Sequence, residues 1–295
     1  MIHTPDLPLP GRGATAERLR RLAELGRADP VAARLGEGHA DAVAVRAELG
    51  DAGEDGRWGV WAAVPRSLRA VRDGDGWRLN GERPWCSGAG WCTHALVTAE
   101  ADDGIRLFAV ANEAPYAVPL DGTWPAVGMA ASDSRTIRFT GAPARPIGGP
   151  GEYVNRPGFW HGGIGVAACW YGGALGIADA LHIADKDDPH TLAHLGAVDV
   201  ALGAARAVLL EAAAVIDADP QAMQHRLALR VRATVEAAAT EVIDRVGRAL
   251  GAGPLCRDER HARRVADLTV YLRQSHAEAD LEQLGGLVRN EKSPW

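Results

Sequence analysis

Residues 77–90 read W-R-L-N-G-E-R-P-W-C-S-G-A-G, and the fold is read outward from them. Asn80-Gly81 stands between two short runs, residues 77–79 and 82–86. Both residues tolerate the positive φ of a tight type I′ turn, so the stretch predicts a β-hairpin turning at Asn80-Gly81. Pro84 has no N–H to donate, which puts the second strand at a sheet edge or a bulge. Beyond it, Ser87-Gly88-Ala89-Gly90 is small enough to let a flat ligand approach the backbone. The plainer alternative is a surface hairpin with one buried Trp.

Around this hairpin, residues 57–146 read as short strands with turns. Residues 58–64, 95–99, 105–110 and 136–140 suit strands. Asp73-Gly74-Asp75-Gly76, Asp102-Asp103-Gly104 and Asp121-Gly122 punctuate them. Such even spacing suggests a small barrel or sandwich. Upstream, residues 14–26 and 31–49 carry apolar side chains at helical spacing. The first ten residues hold three prolines and are expected to be a loose arm, and residues 51–56 form a polar connector. After Gly151 the pattern is helical, over 162–183, 191–217, 221–250 and 258–284, with Pro220 and Gly251-Ala-Gly-Pro254 at the breaks. The expected fold is α+β: a short N-terminal helical region over 1–56, a central β-barrel-like domain over 57–146 and a C-terminal four-helix bundle over 147–295.

Composition narrows the function. The 295 residues are 47% hydrophobic and 24% charged, as in a globular protein with an ample core. A net charge of −6 gives no general pull toward nucleic acid or anionic membranes. Cys86, Cys92, Cys169 and Cys256 form no CxxC pair and no Cys/His metal framework, and they read as reduced, buried thiols of a cytoplasmic protein. The start of the chain lacks a basic region followed by an apolar core, so no signal peptide is expected. Residues 162–178 are uncharged but short for a span and rich in Gly, which favours a buried helix. Within them Gly163-Ile-Gly165-Val-Ala-Ala168 satisfies G-x-G-x-x-A, yet no strand precedes it. Its glycines are expected to serve close helix packing instead. His190 and His194 share a helical face without a third ligand, so no metal site is expected.

The hairpin resembles that of the acyl-CoA dehydrogenases, whose pattern Leu-x-Gly-x-(Lys/Arg)-x-Trp-x-(Thr/Ser) is met by Leu79, Gly81, Arg83, Trp85 and Ser87. The resemblance implies that Trp85 packs against a flavin and that Ser87 hydrogen-bonds its N5. Gly128-Met129, Ser132 and Ser134, followed by a run that reaches Phe139, are similar to a second family segment, mostly structural in role. In the turn after the third long helix, the family likeness implies that Gly251 and Gly253 approach the FAD pyrophosphate, often across a dimer, and a plain helix-ending turn is the alternative. The likeness covers about residues 57–285 and matches the family order of short helices, β-domain and helical bundle.

The family's usual base is a Glu before a Gly, beyond an Arg-Asp pair. Matching that Asp to Asp267 puts Ser275-His276 where Glu-Gly should stand, and the second site used by some members falls near Val166. Neither is acidic. His276 can move protons, and on a continuous helix it would share a face with Asp280. Two further departures bear on FAD: the N-terminal helical region is short, and Asp188-Pro-His-Thr-Leu-Ala-His-Leu195 replaces the family's Arg-x-x-Phe-Gly…Gln pattern. Three functions follow from the resemblance. The first is an FAD-dependent oxidoreductase acting on the CH–CH group of an acyl thioester, as a homo-oligomer or with a related subunit. The second is a non-catalytic homologue partnering a full-length dehydrogenase. The third is a flavin-dependent monooxygenase using His276.

Overall fold

The computed structural model of the protein describes residues 4–51, 55–63 and 68–291. The chain forms α1 (Thr15–Ala28), α2 (Pro30–Glu48), β1 (Trp58–Trp61), β2 (Leu68–Asp73), β3 (Gly76–Arg83), β4 (His94–Ala101), β5 (Gly104–Ala111), β6 (Ala117–Pro119) and β7 (Ile137–Ile147). The helices α3 (Pro157–His182), α4 (Pro189–Ala218), α5 (His225–Leu250), α6 (Ala252–Arg257), α7 (Glu259–Tyr271) and α8 (Glu278–Arg289) follow. Contacts divide it into two units: residues 1–6, 34–126 and 130–159 form one, and residues 7–33, 127–129 and 160–295 the other.

The first unit is a mixed sheet closed on itself. Pairing runs β2-β3-β7-β5-β4 and returns to β2 through the single parallel pair Arg69↔Glu100, giving a five-stranded barrel. β1 lies parallel to the first half of β4, and β6 pairs with β7. Inside are Trp61, Leu68, Trp77, Leu79, Val97, Phe108 and Phe139. β4 and β5 are covered on the other face too, where Leu96, Leu107 and Ala109 pack with Ala42 and Val45 of α2. Two buried faces make an almost continuous apolar strand, as H-A-L-V-T-A-E-A shows.

The hairpin at the centre of the sequence is placed differently from the expectation. Asn80-Gly81 is not a turn: both residues lie inside β3, and the β2–β3 turn is Gly74-Asp75, between the paired Asp73 and Gly76. Gly81 has φ +121 and marks a register shift against β7 between Leu79 and Gly81. The positive φ available to glycine serves a bulge as well as a turn. Asn80 Oδ1 accepts the Gly141 N–H at 2.8 Å, which fastens the bulged strand to β7. β7 itself runs eleven residues, well past the predicted 136–140. β1 stops at Trp61, and Val64, the end of the predicted strand, lies outside the described residues, as does part of the 51–56 connector.

The second unit is helical. α3 is long and apolar enough to cross a membrane by composition, yet 72% of its apolar window is buried, as in a core helix. It meets α1 backbone to backbone: a Cβ on Gly172 would sit 2.0 Å from Ala23 O, and one on Gly26 would sit 2.3 Å from Cys169 O. Gly163 and Gly165 make no such approach, since their Cβ positions meet only side chains at 3.6 and 3.3 Å. Close helix packing, expected of that pair, is therefore done by Gly172 and Gly26. The described part of the expected loose arm, with the residues that follow it, is fastened as well. Arg18 donates to Pro8 O, Gly11 abuts Pro220, and Asp217 on α4 accepts from the N–H groups of Gly13 and Thr15 and the Thr15 hydroxyl.

The predicted last helix, 258–284, is two helices. α7 ends at Tyr271, a 3-10 turn covers Leu272–Gln274, and α8 begins only at Glu278. Ser275 is extended and Ala277 has φ +47, so the α-helical ladder is broken there. Ahead of α7, Gly128 and Met129 lie on its backbone. A Cβ on Gly128 would be 2.1 Å from Ala266 O, and the Met129 N–H donates to Asp267 Oδ1 at 2.5 Å.

Burial raises the Asp267 pKa against the opposing effect of that hydrogen bond. The folded state therefore holds the Asp267 proton more tightly than the unfolded chain. From this group alone, stability falls as pH rises through the window above the ordinary carboxylate value. Asp267→Asn keeps an acceptor for Met129 without the buried charge. Relative to the parent it should be more stable at pH 7 than at pH 4. Asp267→Ala should cost about 1–3 kcal/mol at either pH, because the Met129 N–H loses its partner. Urea midpoints at the two pH values check both.

Candidate functional site

The segment after β3 is organised by residues whose backbone most side chains avoid. Trp85 has φ +63 and Asp133 φ +46, values uncommon outside glycine and, for a bulky aromatic, a local strain. They belong to two stretches that pair. The N–H groups of Cys86, Gly88 and Ala89 donate to the carbonyls of Arg135, Ser132 and Asp133, and the Gly90 N–H donates to the Asp133 carboxylate.

This pairing turns the Trp85 indole outward. It is 55% exposed and meets Trp124 edge to face at 5.9 Å. Ser87 is buried, with Ser134 Oγ donating to Ser87 Oγ at 2.8 Å and Ser132 Oγ lying 2.8 Å from Ser134 Oγ. Because Ser87 already accepts a hydrogen bond, its own proton is available to a further acceptor. The two sequence segments singled out for their family likeness thus meet through a chain of three hydroxyls. Nothing in the sequence pattern announces Ser132 and Ser134 as partners of Ser87, since the contact spans 47 positions.

The glycines here have a different purpose from the one predicted. The Cβ position of Gly88 is occupied by Cys92 Sγ at 2.9 Å and Leu35 Cδ2 at 3.1 Å, and that of Gly90 by Asp133 Oδ2 at 2.9 Å. They make room for the protein's own atoms, not for a flat ligand. Cys86 and Cys92 are buried, and burial pushes both thiols up, Cys92 to about 12, so neither is a nucleophile at neutral pH. Cys256 departs from the expectation of buried thiols and is exposed.

In the helical unit, Ser275 and His276 occupy the break between α7 and α8. The His276 ring is largely exposed and its Nδ1 lies 3.1 Å from Asp280 Oδ1, while its backbone N–H reaches Asp280 Oδ2. The pair is therefore formed by a helix-start geometry and not by a shared helical face. Ser275 donates to Glu236 Oε2 at 3.2 Å and accepts the Ala277 N–H at 3.1 Å. Glu236 Oε1 is held by Arg273 at 2.6 Å. A carboxylate from α5 thus stands beside Ser275, and its separation of 39 positions leaves no local sign of it in the sequence.

Gly251 has φ +70, which suits glycine at the end of α5, and Gly253 lies within the short α6. A Cβ on either would meet nothing within 4 Å.

No family model matches the chain, and no curated protein does. Solved structures do match it. A Tcur3481-Tcur3483 steroid ACAD variant is 22% identical with a TM-score of 0.76, over 93% of this chain and 81% of that one. TdsC from Paenibacillus sp., in complex with FMN and indole, is 18% identical with a TM-score of 0.79, over 95% and 85%. The methanesulfinate monooxygenase MsuC from Pseudomonas fluorescens is 18% identical with a TM-score of 0.78, over 95% and 85%.

The chain has the acyl-CoA dehydrogenase fold. At these identities the likeness is one of architecture: the closed barrel and the long helices of this chain are those of an acyl-CoA dehydrogenase-like protein. The acyl-CoA dehydrogenase fold hosts both dehydrogenases and monooxygenases among these neighbours, so function has to be argued from the site.

Proposed function

We propose that this chain is a flavoprotein oxidoreductase, with FAD as its cofactor and an acyl thioester as its substrate, oxidised at the CH–CH group. The observation that carries the reading is the outward Trp85 indole beside the hydroxyl chain ending on Ser87. An exposed aromatic face and a hydroxyl with a free proton fit a flat heterocycle with an acceptor nitrogen. The FMN in the TdsC structure supports a flavin, and the steroid ACAD supports dehydrogenation. Gly251 and Gly253 fit the pyrophosphate of the cofactor, with open space over both and, at Gly253, no packing need of the chain's own. The assembly would be a homo-oligomer, or a hetero-oligomer with a related subunit, in the cytoplasm.

A bound flavin would supply a two-electron acceptor at N5. The chain's own part is to hold it through Trp85 and Ser87 and to take a proton from the carbon alpha to the thioester. Within the helical unit, a proton delivered to Ser275 Oγ would pass on from Ser275 to Glu236 Oε2, so that Ser275 keeps its hydroxyl and Glu236 becomes the carboxylic acid, with Arg273 holding Glu236 in place.

A second reading is favoured by one observation. His276 is exposed at the same break and paired with Asp280, and the neighbours include MsuC, named as a monooxygenase. In that reading His276 moves the proton, with reduced flavin and oxygen as co-reactants. A non-catalytic partner role for a full-length dehydrogenase is the third.

Titration with FAD and with FMN decides first. Flavin absorbance retained through gel filtration, and weakened about tenfold by Ser87→Ala, is the expected result. A protein that holds neither flavin rejects both catalytic readings and leaves the partner role.

A further inference from the structure

At the start of α7 the helical unit contains a cavity of about 500 Å³, within the size range of small-molecule sites. Four arginines line it: Arg257, Arg260, Arg263 and Arg264. It also holds four acids, and the balance between the two sets depends on what each is already doing. Asp29 accepts the N–H groups of Val31 and Ala32, and Asp258 accepts that of His261. Asp267 is committed to Met129. Only Glu259 pairs with a guanidinium, that of Arg263 at 2.5 Å, and both partners are largely exposed.

The arginines are differently placed. Arg264 donates to the carbonyls of Gly176, Arg27 and Ala28 and makes no direct ion pair, while the charges of Asp179, Asp29 and Asp258 act on it from nearby. Arg257 and Arg260 make no side-chain ion pair or hydrogen bond among the described residues. Burial and the neighbouring Arg260 charge both depress the Arg264 pKa, as expected where like charges converge. Two uncommitted guanidiniums on a polar cavity, with the facing carboxylates turned to backbone N–H groups, are an arrangement for oxyanions.

We infer that this cavity binds the phosphate groups of a small phosphorylated molecule, with Arg257 and Arg260 as its principal ligands. The volume leaves room beside a phosphate for a further organic part of the ligand. The site uses neither Trp85 and Ser87 nor the break at Ser275, and Gly251 and Gly253 are not in its lining, although Gly253 shares α6 with Arg257, which makes competition with FAD part of the test.

Pyrophosphate titrated calorimetrically into the full chain at low ionic strength tests this, because exposed charges are screened by salt. Saturable binding is expected, weakened roughly tenfold or more in R257Q/R260Q and unchanged in R248Q, a control on α5. Glu259→Gln should tighten binding several-fold by releasing Arg263, which a purely structural role for these residues would not do. Thermal melts of each variant confirm folding. Absence of binding, or binding equal in R257Q/R260Q and the parent, overturns the inference. Displacement of pyrophosphate by FAD would overturn it as a separate site, whereas indifference to FAD supports it.

Discussion

Replacing Glu236 by Gln should lower the rate of acyl-thioester oxidation by roughly 10²–10⁴-fold, the usual weight of a positioned proton acceptor. Gln is nearly isosteric and can still engage Arg273 and Ser275, so the fold and flavin retention should be preserved. Ser275→Ala should cost less than Glu236→Gln, since a water can take the place of a hydroxyl relay. His276→Ala should change little, because its ring belongs to Asp280 and not to this relay. The measurement is dye-linked oxidation over a panel of acyl-CoA esters, with flavin absorbance followed in parallel. Flavin lost in Glu236→Gln would mean that the residue is structural. Full activity in Glu236→Gln with activity abolished in His276→Ala would transfer the proton to His276 and favour the oxygen-dependent chemistry.

The largest effect on stability is expected at Gly172. An added methyl there would stand 2.0 Å from Ala23 O, 2.7 Å from Ala23 C and 2.9 Å from Ala23 Cα, all backbone atoms of a regular helix. No rotamer change relieves a clash with a carbonyl, so α1 would have to lift from α3. With it the burial of Leu22 and Ala23 and the close approach of Gly26 to Cys169 would loosen. Gly172→Ala should therefore cost about 3 kcal/mol, the upper part of the range for overpacked interiors. Gly163→Ala on the same helix makes the contrast. Its methyl meets only Arg232 Cδ at 3.6 Å, and better helix propensity should leave stability unchanged or raised by up to about 1 kcal/mol. Urea denaturation of the two variants separates the cases. Equal midpoints would mean that α1 is not seated on α3 as described.

What could be read from the sequence depended on whether the signal was local. The long helices declared themselves through apolar spacing and through Pro220 and Gly251 at their ends. The strands β4 and β5 did so through short apolar runs between Asp-Gly turns. Asn80-Gly81 misled because a glycine at positive φ serves a bulge and a turn equally, and only the pairing partner distinguishes them. β2 escaped because L-R-A-V-R-D looks polar until Leu68 and Ala70 are seen to alternate inward. Of the candidate site, the sequence offered the near neighbours Trp85 and Ser87, which sit in one local motif. It offered no sign of partners from distant elements, such as Ser134 for Ser87 and Glu236 for Ser275.

The seat of α1 on α3 also sets an order of events while the chain is being made. Ala23 leaves the ribosome about 150 residues before Gly172, its backbone neighbour. At 5–20 residues per second that interval is on the order of ten to thirty seconds. Throughout it the apolar stripe of Leu19, Leu22 and Ala23 has no native surface to cover it. α1 is thus a stretch for a chaperone to shield during synthesis, and its docking is one of the closing steps by which the helical unit becomes resistant to proteases.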